Sequence, residues 1–419
     1  MTRSSVGSIW LLLGVLAAAS MGYYVEAIWG ADQPEQFSDL YAPWWAAHEL
    51  LLHGRDPYCP AVAHEIQVVI YGSAVGASAD DPDGIGGGFA YPPYATLLLW
   101  PLIYTSFPTA QRIFLLFSVL LTLLSLALWV RAFRLRLSAV SWVTLALFVM
   151  GSFPVLQGIK LQNLSLVAAG VLAIAVVFLA GDQLILSGIF LAGCTFKPQF
   201  TVALLIWLIL WTCAEWRRRQ ALLWSFGSSL IVLFAVSQWL VPGWISSFLR
   251  VVSAYRHYTY GHSLLDVWFA PSFGPFVSAG LLLGALGLCW PHRSQAAGSP
   301  RFLLATSLVL AANVVVIPTL APHAQLLLLP GFLCLLPAVH ARWVSTSPAR
   351  MVRSAAWILT AWPWIAAFAF SGAAVWLQAA KLHRFWQVPL YTSPVIPMAV
   401  ALALSFLARR ASNSENSET

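Results

Sequence analysis

The sequence predicts an all-α, polytopic membrane protein, and three observations carry that prediction. Hydrophobic residues make up 60% of the 419 positions and charged ones only 9%, with a mean hydropathy of +0.78, far from the average soluble domain. The apolar residues come in long runs, many approaching the ~20 residues that carry a helix across a bilayer. The arginines cluster between those runs, as they do in loops that fix membrane orientation. The formal charge of +7 therefore reports topology and no nucleic-acid partner, because the cations form no single basic face.

Taken in order, apolar windows fall near 8–29, 108–130, 140–157, 164–180, 183–196, 199–213, 221–241, 272–290, 302–318, 324–340, 354–376 and 388–408, a bundle of about twelve spans. The first window opens like a cleavable signal peptide, yet it runs on through Tyr24 to Trp29 and is long enough to span. Segment 94–105, "YATLLLWPLIYT", is also apolar. A helix of that length reaches barely half way across a ~30 Å core at ~1.5 Å per residue, and Pro101 interrupts it. It is expected to be re-entrant or interfacial.

Charge supports that choice. With a cytoplasmic N-terminus and twelve crossings, the inside loops collect fourteen arginines in tight clusters, such as Arg217, Arg218 and Arg219. Eight cations remain elsewhere, scattered singly at span ends: Arg55, Arg112, Lys160, Lys197, Arg250, Arg256, Lys381 and Arg384. Isolated cations at the outer surface are candidates for ligand contact. The whole of 1–410 then forms one transmembrane domain with a large loop over 30–107, and the polar tail 411–419 is expected to be a disordered cytoplasmic end. The bilayer is the plasma membrane in this reading, with the chemistry on its extracytoplasmic side.

One polar insert breaks the apolar pattern. From Gly30 to Pro93 it holds nine of the fifteen carboxylates, and hydrocarbon strongly disfavours ionised Asp and Glu, so the water-facing chemistry is expected here. Leu40, Trp44, Ala47, Leu51 and Leu52 recur at helical spacing and predict an amphipathic helix lying on the membrane with Asp39 at its start. Asp39 or Ser38 can simply cap that helix, or Asp39 can act as a base. Asp56 in "GRDPY" competes for the catalytic part, against a turn in which it bonds its own backbone. Asp80, Asp81 and Asp83 in "SADDPDGIGGG" fit no calcium-loop spacing and read as a solvated flexible loop. The five cysteines show no C-x-x-C spacing and read as packing residues. No cofactor and no bound metal are expected.

The stretches "DLYAPWWAAHELLLHGRDPY", "FAYPPYATLLLWPL", "LQGIKLQN" and "LAGCTFKPQ", in this order up to Gln199, resemble the polyprenol-phosphate-sugar-dependent glycosyltransferases of family 87, within the GT-C superfamily. The later half resembles them in hydropathy and in "PHAQLLLLPG". This chain departs from the pattern at Gly158-Ile159-Lys160, where the family often has Gly-Gln. The resemblance implies a GT-C-type helix bundle and transfer of a hexose, most often mannose, by a single inverting displacement. The implied partners are a polyprenyl-phosphate-sugar donor and a glycolipid or glycan acceptor outside the cytoplasm. By the same resemblance Asp39 is the general base.

Transfer from a lipid-linked phosphate needs a carboxylate near the acceptor hydroxyl and a cation for the departing phosphate. Lys197, Lys160, Arg256 and His323 are the candidates for the phosphate, and Tyr91, Gln162, Asn163 and Asp56 complete the expected substrate-binding set. Lys197 lies between two apolar runs, where a charge has no cheap place unless it faces a polar cavity or snorkels outward. Arg256 and His257 stand among Tyr255, Tyr258 and Tyr260, a composition that suits sugar stacking as well as an interfacial aromatic belt. "LQNLS" also matches a glycosylation sequon at Asn163. The competing function is transport or flipping of a lipid-linked sugar, against which stand the absence of repeat halves and of paired intramembrane carboxylates.

Overall fold

Prolines set many of the helix starts: Pro60, Pro93, Pro108, Pro154, Pro198, Pro275, Pro300 and Pro322 each occupy a first turn. There the missing N–H costs nothing and the fixed φ favours the helix. The computed structural model describes residues 3–29, 38–79, 81–258, 262–317, 321–336, 347–374, 388 and 392–416. Every regular element among them is helical. In chain order they are α1 (Arg3–Trp29), α2 (Tyr41–His53), α3 (Pro60–Tyr71), a 3-10 helix (Pro93–Leu102), α4 (Phe107–Ala132), α5 (Ala139–Met150) and α6 (Phe153–Leu161). Then come α7 (Ser165–Ala180), α8 (Leu184–Cys194), α9 (Pro198–Ala214), α10 (Trp216–Leu240), α11 (Trp244–Tyr258), α12 (Leu264–Phe269) and α13 (Gly274–Cys289). The chain continues through a 3-10 helix (Trp290–His292), α14 (Pro300–Val316), a 3-10 helix (Pro322–Leu328), α15 (Leu329–Leu335), α16 (Ser347–Thr360), α17 (Trp362–Ala374) and α18 (Val395–Asn416).

By length and composition, four helices among the described residues can cross a membrane: α4, α10, Gly274–His292 and Val395–Ser412. The count is five if α5 and α6, bent by 59° at Gly151-Ser152, form one span. These apolar helices make the chain a membrane protein. The other apolar windows form shorter helices of 10–17 residues, including Trp10–Glu26, α7, α8, α9 and α14. At ~1.5 Å per residue such helices fall short of a ~30 Å core. Gly151 shows how packing fixes one of the breaks. A Cβ there would stand 2.9 Å from Met21 Cβ and 3.3 Å from the Ala17 carbonyl, so α1 crosses directly over the bend.

Several sequence expectations are corrected. The window 354–376 is two helices, α16 and α17, divided at Ala361. Tyr255, Arg256, His257 and Tyr258, read as a sugar-stacking cluster or an interfacial belt, form the last turn of the helix α11, and 259–261 lie outside the described residues. The tail expected to be disordered from 411 is helical as far as Asn416, and 417–419 lie outside the described residues. The Asp-rich loop is organised around a buried Asp81, whose carboxylate accepts the backbone N–H groups of Ile85 (3.0 Å) and Gly86 (2.6 Å). Buried Gln67 ties the same loop to α3 by donating to the carbonyls of Gly84 and Gly86. Asp83 is a surface ion-pair partner of Arg250, and Asp80 lies outside the described residues.

The core is a continuous row of packed helices, α4 on α7, α7 on α8 and α8 on α10, with α14 packing on α9, α13 and α18. Segment 93–102 is a short 3-10 helix carrying Pro101 inside it. It lies against α2, and Trp44 Nε1 donates to the Leu102 carbonyl at 3.1 Å. The expected amphipathic helix α2 is largely enclosed: Leu40, Tyr41, Trp44, Ala46, Ala47 and Leu50 are all buried, and Leu52 is exposed.

Candidate active site

Irregular backbone within apolar sequence is tolerated where it is buried in protein or lines a polar cavity, because its N–H and C=O groups need partners. Two such breaks meet here. The first separates α6 from α7 at Gln162-Leu164, with Gln162 in the left-handed region at φ 54°. The second separates α8 from α9, with Lys197 immediately before Pro198. The third element is the chain entering α2. Its Asp39 N–H donates to the Leu161 carbonyl at 2.8 Å, filling an open acceptor at the C-terminal end of α6.

Asn163 joins the three. Its Nδ2 donates to Asp39 Oδ2 at 2.6 Å, and its Oδ1 accepts from Lys197 Nζ at 2.9 Å and from the Ser165 N–H at 2.8 Å. Lys197 Nζ donates a second bond to Ser165 Oγ at 2.7 Å. An ammonium has three N–H donors, and two of them are committed by these bonds. Gln162 is fixed from two sides, accepting from Ser38 Oγ at 2.7 Å and donating to the Gln111 carbonyl at 2.8 Å. The Asp39 carboxylate does not cap α2: Leu40 is the N-cap residue and no side-chain cap bond is formed. That leaves its second oxygen for chemistry.

The electrostatics follow from enclosure. Desolvation pushes the Asp39 carboxyl above its ordinary value, while the Asn163 bond and the Lys197 charge pull back against it. Desolvation lowers the Lys197 ammonium to about 8, opposed by the charge of Asp39. A base with a raised pKa and a cation with a lowered one share a single amide. That combination can take a proton from a hydroxyl and hold an anion a few ångströms away.

The "FAYPPY" segment supplies an aromatic wall. Lys197 Nζ lies 5.6 Å from the centroid of the Tyr91 ring and 5.6 Å from that of Phe200, within cation–π range. Tyr58 Oη donates to the Tyr91 carbonyl at 2.6 Å, and Tyr94 Oη pairs with Thr195 Oγ1 at 2.9 Å, so the segment docks onto the α8–α9 turn. Buried His323 is near enough for the Lys197 charge to act on its ring, and its Nδ1 has no hydrogen-bond partner among the described residues. Gly158 makes room for it, since a Cβ there would stand 3.0 Å from His323 Cβ.

The structure thus gathers Asp39, Tyr91, Gln162, Asn163, Lys197 and His323. It places the other three candidates differently. Asp56 is exposed and accepts the Tyr58 N–H at 2.9 Å, the turn bond of the competing reading. Arg256 is exposed on α11, whose approach to Tyr91 is made by Tyr255. Lys160 is half-buried on the last turn of α6, two residues before Gln162. Tyr260 lies outside the described residues. The sequon reading of Asn163 fails because its amide is buried and committed; the Ser at the third position, Ser165, is instead a ligand of Lys197 that the sequence reading missed. Its only signal was that same Asn-x-Ser spacing.

Comparison with curated proteins finds no match for this chain. The family model for glycosyltransferase family 87 matches residues 89–319, a stretch that contains Tyr91, Gln162, Asn163, Ser165 and Lys197 and begins after Asp39. Because that match covers more than half of the 419 residues, the chain belongs to glycosyltransferase family 87.

Proposed function

We propose that this membrane glycosyltransferase moves a hexose, with mannose the first choice, from a polyprenyl-phosphate-linked donor to a glycolipid or glycan acceptor. The observation that carries the reading is the bonded line Asp39–Asn163–Lys197. Asp39 takes the proton of the acceptor hydroxyl as its oxygen attacks the anomeric carbon. The bond from that carbon to the phosphate oxygen breaks, and the electron pair leaves with the phosphate. Lys197 offers its third N–H to that phosphate, with His323 beside it. One displacement inverts the anomeric centre.

A polyprenyl donor fits the place of Lys197 in the chain, between two apolar helices. The leaving phosphate remains attached to a lipid, so its cation has to sit at a break in apolar structure and not on a water-facing domain. In the same reading both termini are cytoplasmic, the twelve windows cross or enter the plasma membrane, and Asp39 faces the extracytoplasmic side. The clustered arginines support that orientation.

The test uses purified protein, radiolabelled polyprenyl-phosphate-mannose and a cell-envelope glycolipid extract. Label that accumulates in glycolipid with wild-type protein, and does not with Asp39→Asn, supports the reading. Label that only changes leaflet in proteoliposomes, with no new glycoside, overturns it in favour of a flippase.

A further inference from the structure

At the end of α2 remote from Asp39, three metal-ligating side chains converge on one point. His48 Nδ1 lies 3.0 Å and His53 Nε2 4.0 Å from Glu49 Oε1, and the three ligand atoms lie within 4.8 Å of one another. The two imidazole rings are 5.1 Å apart at their centroids. Ligands on a tetrahedral zinc ion at ~2.0–2.1 Å stand roughly 3.3 Å from each other, a spacing that the observed 3.0 and 4.0 Å bracket. The geometry points to a divalent-cation site of the zinc class, formed by His48, Glu49 and His53.

The surroundings match a built site. Glu49 is 4% exposed, and its other oxygen, Oε2, accepts from Arg55 Nη1, so Oε1 is left facing both rings. Arg55 in turn bonds Glu65 at 2.8 Å, and Trp45 Nε1 donates to Glu65 at 2.9 Å. Outer bonds of this kind orient a carboxylate ligand. Two carboxylates against one guanidinium leave a net negative charge beside two imidazoles, which favours a dication. Trp45 stacks on His48 with ring centroids 5.2 Å apart and planes 8° apart, holding that ring in place. Two imidazoles and one carboxylate suit zinc, and the exposed side of His53 leaves a fourth position for water.

The sequence reading expected no metal and did not weigh these two histidines: residues five apart stand ~140° around a regular helix, so their spacing gives no signal. The rings meet because His53 is the last residue of α2, before Gly54 turns the chain at φ 66°. A bound ion would clamp this end of α2, next to the Arg55 pairs that tie it to α3.

The test is direct zinc binding by the full-length protein carrying a non-histidine affinity tag, stripped with EDTA. Equilibrium dialysis with labelled zinc should give one ion per chain at micromolar affinity or tighter, and cobalt should give the visible bands of a tetrahedral site. His53→Gln, an exposed substitution that leaves the fold intact, and His48→Gln should each weaken binding at least tenfold. His64→Gln on α3 should leave it unchanged. Zinc should raise the thermal midpoint of the wild type and not that of the His48→Gln/His53→Gln pair. No stoichiometric ion in the wild type, or equal binding by the double variant, overturns the proposal.

Discussion

The side-chain amide of Asn163 holds Asp39 with one end and Lys197 with the other, at 2.6 Å and 2.9 Å. Each contact polarises the amide in the direction that strengthens the other. Asn163→Ala removes the strut between base and cation, so turnover should fall about 100-fold, the scale of a 1 Å misplacement. Asn163→Asp should be worse at neutral pH and should move the acid limb of the rate profile upward, since a second carboxylate disfavours ionisation of Asp39. A pH series on both variants separates positioning from bulk.

Asp39→Asn keeps the shape and can still accept from Asn163, yet it cannot take a proton. Turnover should drop by roughly 10² to 10⁴ at equal membrane abundance. Equal activity in a quantified membrane preparation would remove Asp39 as the base.

Lys197→Met deletes a charge that faces the donor phosphate in this mechanism. Charge-assisted bonds are worth ~1.5–3 kcal/mol, so the donor KM should rise about tenfold to a hundredfold while the acceptor KM stays the same. Initial rates at varied donor concentration decide it.

The pH profile should be bell-shaped. Asp39 works ionised and its value is raised, so the rate should climb through a pH above the ordinary carboxylate range. Lys197 works protonated and its value is lowered to about 8, so the rate should fall as pH passes that point. In Lys197→Arg the guanidinium does not titrate, and the falling limb should vanish even if the rate is lower throughout.

A stability prediction comes from Arg219. It is buried, stacks on Trp211 at 3.9 Å, and donates to the carbonyls of Trp211, Arg293, Ser294 and Gln295. Arg219→Lys keeps the charge but not the fork, and should cost at least about 2 kcal/mol. Thermal unfolding in detergent should show a clear drop, whereas Arg217→Lys should show none.

The contrast between those neighbours marks how far the sequence could be read. Hydropathy and arginine clustering report averages over a window, so they separate membrane from soluble but not Arg219 from Arg217. For the same reason they count 140–157 as one segment and miss a 59° bend that turns on one crossing with α1. Lys197 was legible because it is a charge where apolar sequence should not tolerate one, and Asp39 and Asn163 because they stand in stretches that carry the family resemblance, Asp39 also at the start of an expected interfacial helix. Ser165 and Gln67 were not, since a small or neutral residue in such a place carries no comparable penalty. Arg256 was singled out through composition, which does not fix the direction of a side chain: on α11 it is exposed, and Tyr255 is the neighbour that acts on Tyr91.

The bond between the Asp39 N–H and the Leu161 carbonyl, and the Asn163 contact 124 residues away from Asp39 in sequence, bear on biogenesis. A ribosome adds about 5–20 residues per second, so roughly 6–25 s separate the appearance of Asp39 from that of its partner. Throughout that interval the nascent chain has its carboxylate but neither the Asn163 strut nor the Lys197 ammonium. In the proposed mechanism the base therefore precedes its partners, and the site becomes reactive only once α6 and α9 have been made and packed.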